Sequence, residues 1–190
     1  MIKSYNGYEA KKSNSGAREI LPAGGYVAKV LGTSIEDTRA GQMLVISFDI
    51  EDGEYKGFFK KDYAENTNET KKWRGNYRLF IPKDDGSDKD AWSKKTMNNR
   101  AAAFEESNNG YVWDWDEQKL KGKLVGVLFR DKEWEKDGKT GWTTECCALT
   151  DVQTIKDNKF KMPKPKSLPS GTVAAQFTPV EEEDTGDLPF

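Results

Sequence analysis

The run Met43–Ile50 (MLVISFDI) constrains this chain more than any other segment. Leu44, Ile46, Phe48 and Ile50 alternate with Met43, Val45, Ser47 and Asp49, a period of two that places the first set on one face of a β-strand and the second on the other. Such a strand buries its aliphatic face, and the flanking sequence offers partners of the same type. Tyr26, Ala28 and Val30 alternate after Gly25. Glu51-Asp52-Gly53-Glu54 reads as a turn into a second extended run, Tyr55 to Tyr63, and Trp73 to Ile81 reads as a further strand ended by Pro82 and Asp84-Asp85-Gly86-Ser87. Leu124 to Trp134 and Thr140 to Leu149 read as a long hairpin that turns at Lys136 to Gly138. Asp88 to Asn108 reads as the main helix, with an apolar stripe of Trp92, Met97, Ala101 and Phe104 and a stop at Asn108-Asn109-Gly110.

Strands with exposed edges invite aggregation, and closing the sheet removes the edges. The order of several strands, one helix and two more strands therefore predicts a mainly β fold: an OB-fold-like antiparallel β-barrel with one inserted α-helix and a disordered acidic C-terminal tail. Phe48, Phe59, Phe80, Phe104 and Phe129 are assigned to its core, with Trp113 and Trp115 covering a core edge. The body spans residues 21–155. Residues 1–20, polar and rich in Lys, Ser and Asn, form a flexible arm. Residues 156–190 hold too little apolar surface to offset ordering entropy and form a linker and an acidic protein-interaction tail.

The formal charge of -2 conceals a division: residues 167–190 carry five acids and no base, which leaves 27 acids against 30 bases elsewhere. A mildly basic body suits a polyanion, because lysines and arginines gain affinity by releasing the counterions condensed on nucleic acid. The absence of histidine removes the imidazole general base, the HExxH zinc site and the Ser-His and Cys-His pairs. Cys146 and Cys147 are adjacent, and neighbouring strand residues point to opposite faces, so they are expected to stay reduced. No catalytic residue, metal or cofactor is assigned. The N-terminus lacks the apolar core of a signal peptide and the longest aliphatic run is far below the ~18 residues of a membrane span, so a cytoplasmic protein is expected.

Sequence-tolerant binding of single strands needs cations along a groove and aromatic faces for stacking. Candidate DNA contacts are Tyr55, Phe58, Lys60 and Lys61 in the first aromatic-basic stretch, Lys72, Trp73, Arg74, Tyr77 and Arg78 in the second, and Arg130, Lys132, Trp134 and Trp142 in the last hairpin. The chain ends in a second pattern. Glu181, Glu182, Glu183, Asp184 and Asp187 precede Leu188, Pro189 and Phe190, so a hydrophobic anchor and a free carboxylate follow a charged leash, an arrangement suited to a basic pocket on a partner protein.

LPAGGY at Leu21–Tyr26, MLVISFDIEDGEY at Met43–Tyr55, FEESNNGYVWDW at Phe104–Trp115 and LKGKLVGVLFRDKEW at Leu120–Trp134 together resemble the single-stranded DNA-binding proteins of phages and prophages of Gram-positive bacteria. The ending EEEDTGDLPF separately resembles the acidic tips by which bacterial and phage single-strand binding proteins dock replication and recombination enzymes. The resemblance implies an OB-fold that coats and protects single strands without catalysis, in the host cytoplasm, and recruits partners through its tip. It leaves homo-oligomerisation open. A replisome or recombination adaptor that binds DNA weakly is the alternative, and a magnesium-dependent nuclease built from scattered carboxylates is a third reading. In the leading reading the tail competes with DNA for the basic groove. Deleting residues 181–190 is then expected to raise single-strand affinity at low salt and to abolish partner recruitment; unchanged affinity in a salt titration would remove the competition.

Overall fold

The computed structural model describes residues 18–169. Five strands, β1 (Gly24–Thr38), β2 (Gly41–Ile50), β3 (Asn76–Phe80), β4 (Leu124–Lys136) and β5 (Lys139–Thr150), form one antiparallel sheet in the order β3-β2-β1-β4-β5. Three helices accompany them: α1 (Phe58–Glu65), α2 (Asp88–Ser107) and α3 (Val152–Lys156). The fold is mainly β. The sheet is not closed into a barrel, and it carries three helices rather than one. At the seam between the outer strands β3 and β5 stands Arg100 of α2, which donates to the Tyr77 hydroxyl at 3.0 Å and to the Leu149 carbonyl at 2.9 Å.

β2 packs as its alternation predicts, with Leu44, Ile46, Phe48 and Ile50 all within 3% of full burial. Opposite them across the sheet stand Ala28 and Val30 of β1 and Val125, Val127 and Phe129 of β4, while α2 adds Met97, Ala103 and Phe104. Aromatic rings fill the space between: Phe59 stacks on Phe129 at 6.0 Å and meets Phe48 edge-on at 5.8 Å. Buried rings of this size supply most of the apolar area that holds a small domain together.

Tyr55 to Tyr63 is a turn that enters a helix at Phe58 and not a strand. Gly57, at φ 73°, turns the chain into α1 and leaves the first amides of that helix without intrahelical acceptors. Asp49, on the face of β2 opposite the aliphatic row, supplies the missing acceptors: its carboxylate takes the Phe59 amide at 2.9 Å and the Lys60 amide at 3.2 Å, along with its neighbour's, Ile50, at 2.9 Å. The cap comes from a residue nine positions before the helix, so no local signal announced it. Both Phe58 and Phe59 consequently point into the core.

Two aromatic assignments reverse for geometric reasons. On β3 the aliphatic Leu79 goes inward, which carries Tyr77 inward and leaves Phe80 outward and 37% exposed. On α2, Met97 and Phe104 face the core; Trp92 lies five residues before Met97, about 140° round the cylinder, and is 55% exposed. Phe48, Phe59, Phe104 and Phe129 are core residues, as the sequence predicts. Trp113 is buried, and Trp115 is an exposed ring stacked on it at 5.1 Å.

The chain beyond Lys156, which composition reads as linker, lies on the body as far as Leu168. An added Cβ at Gly25 or Gly126 would meet side-chain carbons of Phe160 or Ile155 at 2.6–2.8 Å, so these two strand glycines form the floor on which α3 and Phe160 sit. Further on, the Lys166 amide donates to Asp131 O at 2.8 Å and the Glu133 amide to Lys166 O at 2.9 Å. This parallel bridge occupies the edge of β4 beyond the point where β1 begins.

Asp49→Ala should therefore destabilise the fold by about 1–3 kcal/mol, the cost of leaving buried donors unpaired. Urea unfolding measures it, and a midpoint equal to that of the native protein would show that the cap is dispensable.

Candidate functional site

β4 and β5 continue past the N-terminal end of β1 as a two-stranded arm, from the pair Arg130 and Glu145 to the turn between Lys136 and Lys139. Strand alternation sorts its charges. Arg130, Lys132, Trp134 and Lys136 fall on one face of β4, and Asp131, Glu133 and Glu135 fall on the other. Cross-strand partners share a face, so the basic side also receives Lys139, Gly141, Thr143 and Glu145 from β5. Glu145 is the one acid on that face among the described residues of the arm.

Trp134 is 39% exposed and its indole packs against Gly141, where an added Cβ would approach the ring to 2.8 Å. The missing side chain at Gly141 leaves the room that the indole occupies. Lys132 and Arg130 flank it along the row, both paired with Glu145 at 2.7 Å. Burial alone would raise the Glu145 carboxyl, but hydrogen bonds from Lys132 and Arg130 outweigh it and hold the group below its ordinary range. Trp142, 50% exposed, pairs with Glu133 and belongs to the opposite face.

A second group surrounds α1. Asp62 has a side chain only 8% exposed and accepts from Arg74 at 2.7 and 2.9 Å and from Arg18 Nη2 at 2.6 Å. Burial pushes this carboxyl up, and the guanidinium hydrogen bonds and charges overcome that and hold it low. Tyr63 is exposed beside it, with Lys71 Nζ 4.6 Å from the ring centroid and Trp73 at 5.9 Å. Lys60, Lys61 and Lys72 are exposed nearby in the chain, and Lys61 reaches Glu19 at 3.5 Å.

The candidate contacts therefore divide. Phe58 and Tyr77 are core residues and are corrected as stacking platforms; the Tyr77 hydroxyl accepts from Arg100, and burial raises its pKa. Tyr55 is half-buried, edge-on to Tyr26 and Phe58 at 5.7 and 6.2 Å. Trp73 is also half-buried and spends its indole N–H on the carbonyls of Phe48 and Gly75. Arg74 is held by Asp62. Arg78 is exposed on the outer face of β3, 3.7 Å from Glu36. Lys60, Lys61, Lys72, Arg78, Trp134 and Trp142 stand at the surface, and Arg130 and Lys132 stand there through a shared carboxylate. Residues the sequence reading missed are Tyr63, Phe80 and Trp92. The alternation of β3 was the available signal for Phe80, once Leu79 is taken as the inward residue.

Glu181, Glu182, Glu183, Asp184, Asp187, Leu188, Pro189 and Phe190 lie outside the described residues, as do residues 1–17 of the N-terminal arm. Both cysteines are free thiols, and burial raises the pKa of each. Among the described residues no helix is long and apolar enough to cross a membrane, and no group of three or more Cys, Asp or Glu gathers as a metal site. No protein-family model and no curated protein matches this chain.

Asp62 and Glu145 both titrate below their unfolded values, so their stabilisation is present above about pH 4 and is lost as pH falls through the folded values. Asp62→Asn should be less stable than the native protein at pH 7. The gap should narrow at pH 3, below the ordinary carboxylate value, where the unfolded chain takes up a proton more readily than the folded one; equal gaps in urea midpoints at the two pH values would refute the coupling.

Proposed function

We propose that this protein binds single-stranded DNA with little sequence preference, as a non-catalytic coating protein of phage-type replication or recombination, and that its acidic Leu-Pro-Phe tip recruits partner enzymes. The observation that carries the reading is the basic face of the β4–β5 arm. Four cations there, Arg130, Lys132, Lys136 and Lys139, share a face with Trp134, an indole that packs on Gly141 and is 39% exposed. Cations at strand spacing match a phosphate backbone, and a flat indole accepts any base, which are the two requirements of sequence-tolerant binding.

The strand order supports an OB-like reading of the body. A long β1 shared between β2 and β4, a helix between β3 and β4, and a β3–β5 seam left partly open are features of that five-stranded architecture, whose β1–β2 and β4–β5 loops bind oligonucleotides. The β4–β5 arm then lies where such a ligand is received. The chemistry of the tail supports recruitment: Leu188, Pro189 and Phe190 behind a run of acids suit a pocket that is both apolar and basic better than they suit DNA.

Tryptophan fluorescence should be quenched by a long oligo-dT strand, far less by matched duplex, with a steep salt slope. Trp134→Ala should weaken single-strand binding about fivefold or more, given ~1–3 kcal/mol per stacked base. Glu145→Gln, which releases Arg130 and Lys132, should strengthen it and steepen the salt slope. Absence of any response to the single strand would favour the adaptor; wild-type affinity in Trp134→Ala would remove the arm from the interface.

A further inference from the structure

A second feature lies at the far end of β3 from the β3–α1 side of the body. The outward row of β3, Asn76, Arg78 and Phe80, leads into a pocket of about 470 Å³ between the end of that strand, the β1–β2 turn and the first turns of α2. This size lies within the ~300–1,000 Å³ typical of ligand sites. Phe80, Ile81 and Trp92 make its apolar surface, and the burial of Phe80 and Trp92 is incomplete, 37% and 55% of each being exposed. Neither ring is needed to fill the core.

The charges around it are largely settled. Asp90 is 4% exposed, accepts the Asp84 amide at 2.8 Å and is paired with Lys94 at 2.8 Å. Asp85 is turned onto Ser87, taking its amide at 3.0 Å and its hydroxyl at 2.7 Å. Lys83 and Lys89 remain at the rim with Asp88. The stem of Lys83 lies against Gly41 of the β1–β2 turn, where an added Cβ would meet its Cε at 2.8 Å. A side chain at that turn would displace the lysine from the pocket mouth.

We propose that this pocket receives one nucleobase of the bound single strand, its ring against Phe80 and Trp92 while Lys83, Lys89 and Arg78 take the flanking phosphates. The inference rests on the single-strand reading above and adds a second stacking point, on a different element from the Trp134 arm. Three observations select a base over another occupant. The apolar surface is built from flat rings, Lys83 and Lys89 are part of the lining while Asp85 and Asp90 are engaged by Ser87 and Lys94, and the pocket continues the outward row of β3 that already presents Arg78. Stacking tolerates any base, since every base has a π face.

The test uses the full chain and an oligo-dT strand carrying one 2-aminopurine, whose emission is quenched when it stacks on an indole. Affinity and quenching are measured for the native protein, Phe80→Ala, Trp92→Ala and Trp92→Phe. Trp92→Ala is expected to bind at least fivefold more weakly and to lose part of the quenching, Phe80→Ala to weaken binding in the same direction, and Trp92→Phe to retain most of the affinity. Urea midpoints near the native value establish that each variant is folded. Binding and quenching unchanged in both alanine variants would overturn the pocket while leaving the Trp134 arm in place. A loss that phenylalanine at position 92 does not restore would also overturn it, because a stacking site accepts either ring. No binding by the native protein would instead overturn the single-strand reading itself.

Discussion

β1 pairs with β4 through Gly24–Lys29 and with β2 through Ala28–Thr38, and the rest of the molecule is arranged around that change of partner. An irregularity between Val30 and Gly32 shifts the register just beyond the handover, as bulges do where a strand must bend. Where β4 leaves, the segment before it takes its place: the Gly122 amide donates to Val30 O and the Val30 amide to Lys123 O. One strand thus serves two hairpins that extend from the body at opposite ends of its length. The β1–β2 turn reaches the pocket beside α2, and the β4–β5 arm carries the basic face.

Close backbone approach determines what can lie against this sheet. At Gly75 an added Cβ would come within 2.3 Å of the Phe48 carbonyl and 2.7 Å of the Phe59 ring, so the chain can enter β3 only with no side chain there. Gly25 and Gly126 do the same on the opposite surface for Phe160 and Ile155. The consequence for function is positional. Because α3 and residues 160–168 are seated on β1 and β4, and the Leu168 amide donates to the Glu133 carboxylate at 3.0 Å, the last described residues end beside Glu133 midway along the β4–β5 arm, on the side away from its basic face.

Charge on this surface is organised more by pairing than by excess. Asp62 gathers Arg18 and Arg74, Glu145 gathers Arg130 and Lys132, and Asp90 with Asp84 gathers Lys94. The half-exposed pairs of Glu145 contribute little stability each, but they hold long side chains in place. For Arg130 and Lys132 that means two cations presented beside Trp134 at a fixed spacing, where a phosphate can compete with a single carboxylate.

Period-two alternation made β2, β4 and β5 legible from the sequence, together with the inward row Leu44, Ile46, Phe48 and Ile50, because a strand's two faces are decided by local chemistry. The end of α2 was legible through the Asn-Asn-Gly stop, and the structure adds Ser87 as the cap of its start, with a side chain that accepts the Asp90 amide. Other assignments depended on residues distant in sequence. Whether Tyr55 to Tyr63 runs as strand or helix was decided by Asp49, whose carboxylate completes the first turn of α1 from across the fold. Which of Tyr77 and Phe80 faces outward was decided by Leu79 docking on the core, and the open seam of the sheet is spanned by a guanidinium from α2. Residue types and local periodicity determined this protein's main helix, most of its strands and the composition of its basic arm; long-range caps, close glycine contacts and ion pairs, which exist only once the chain has packed, decided which of its aromatic and basic side chains remain at the surface.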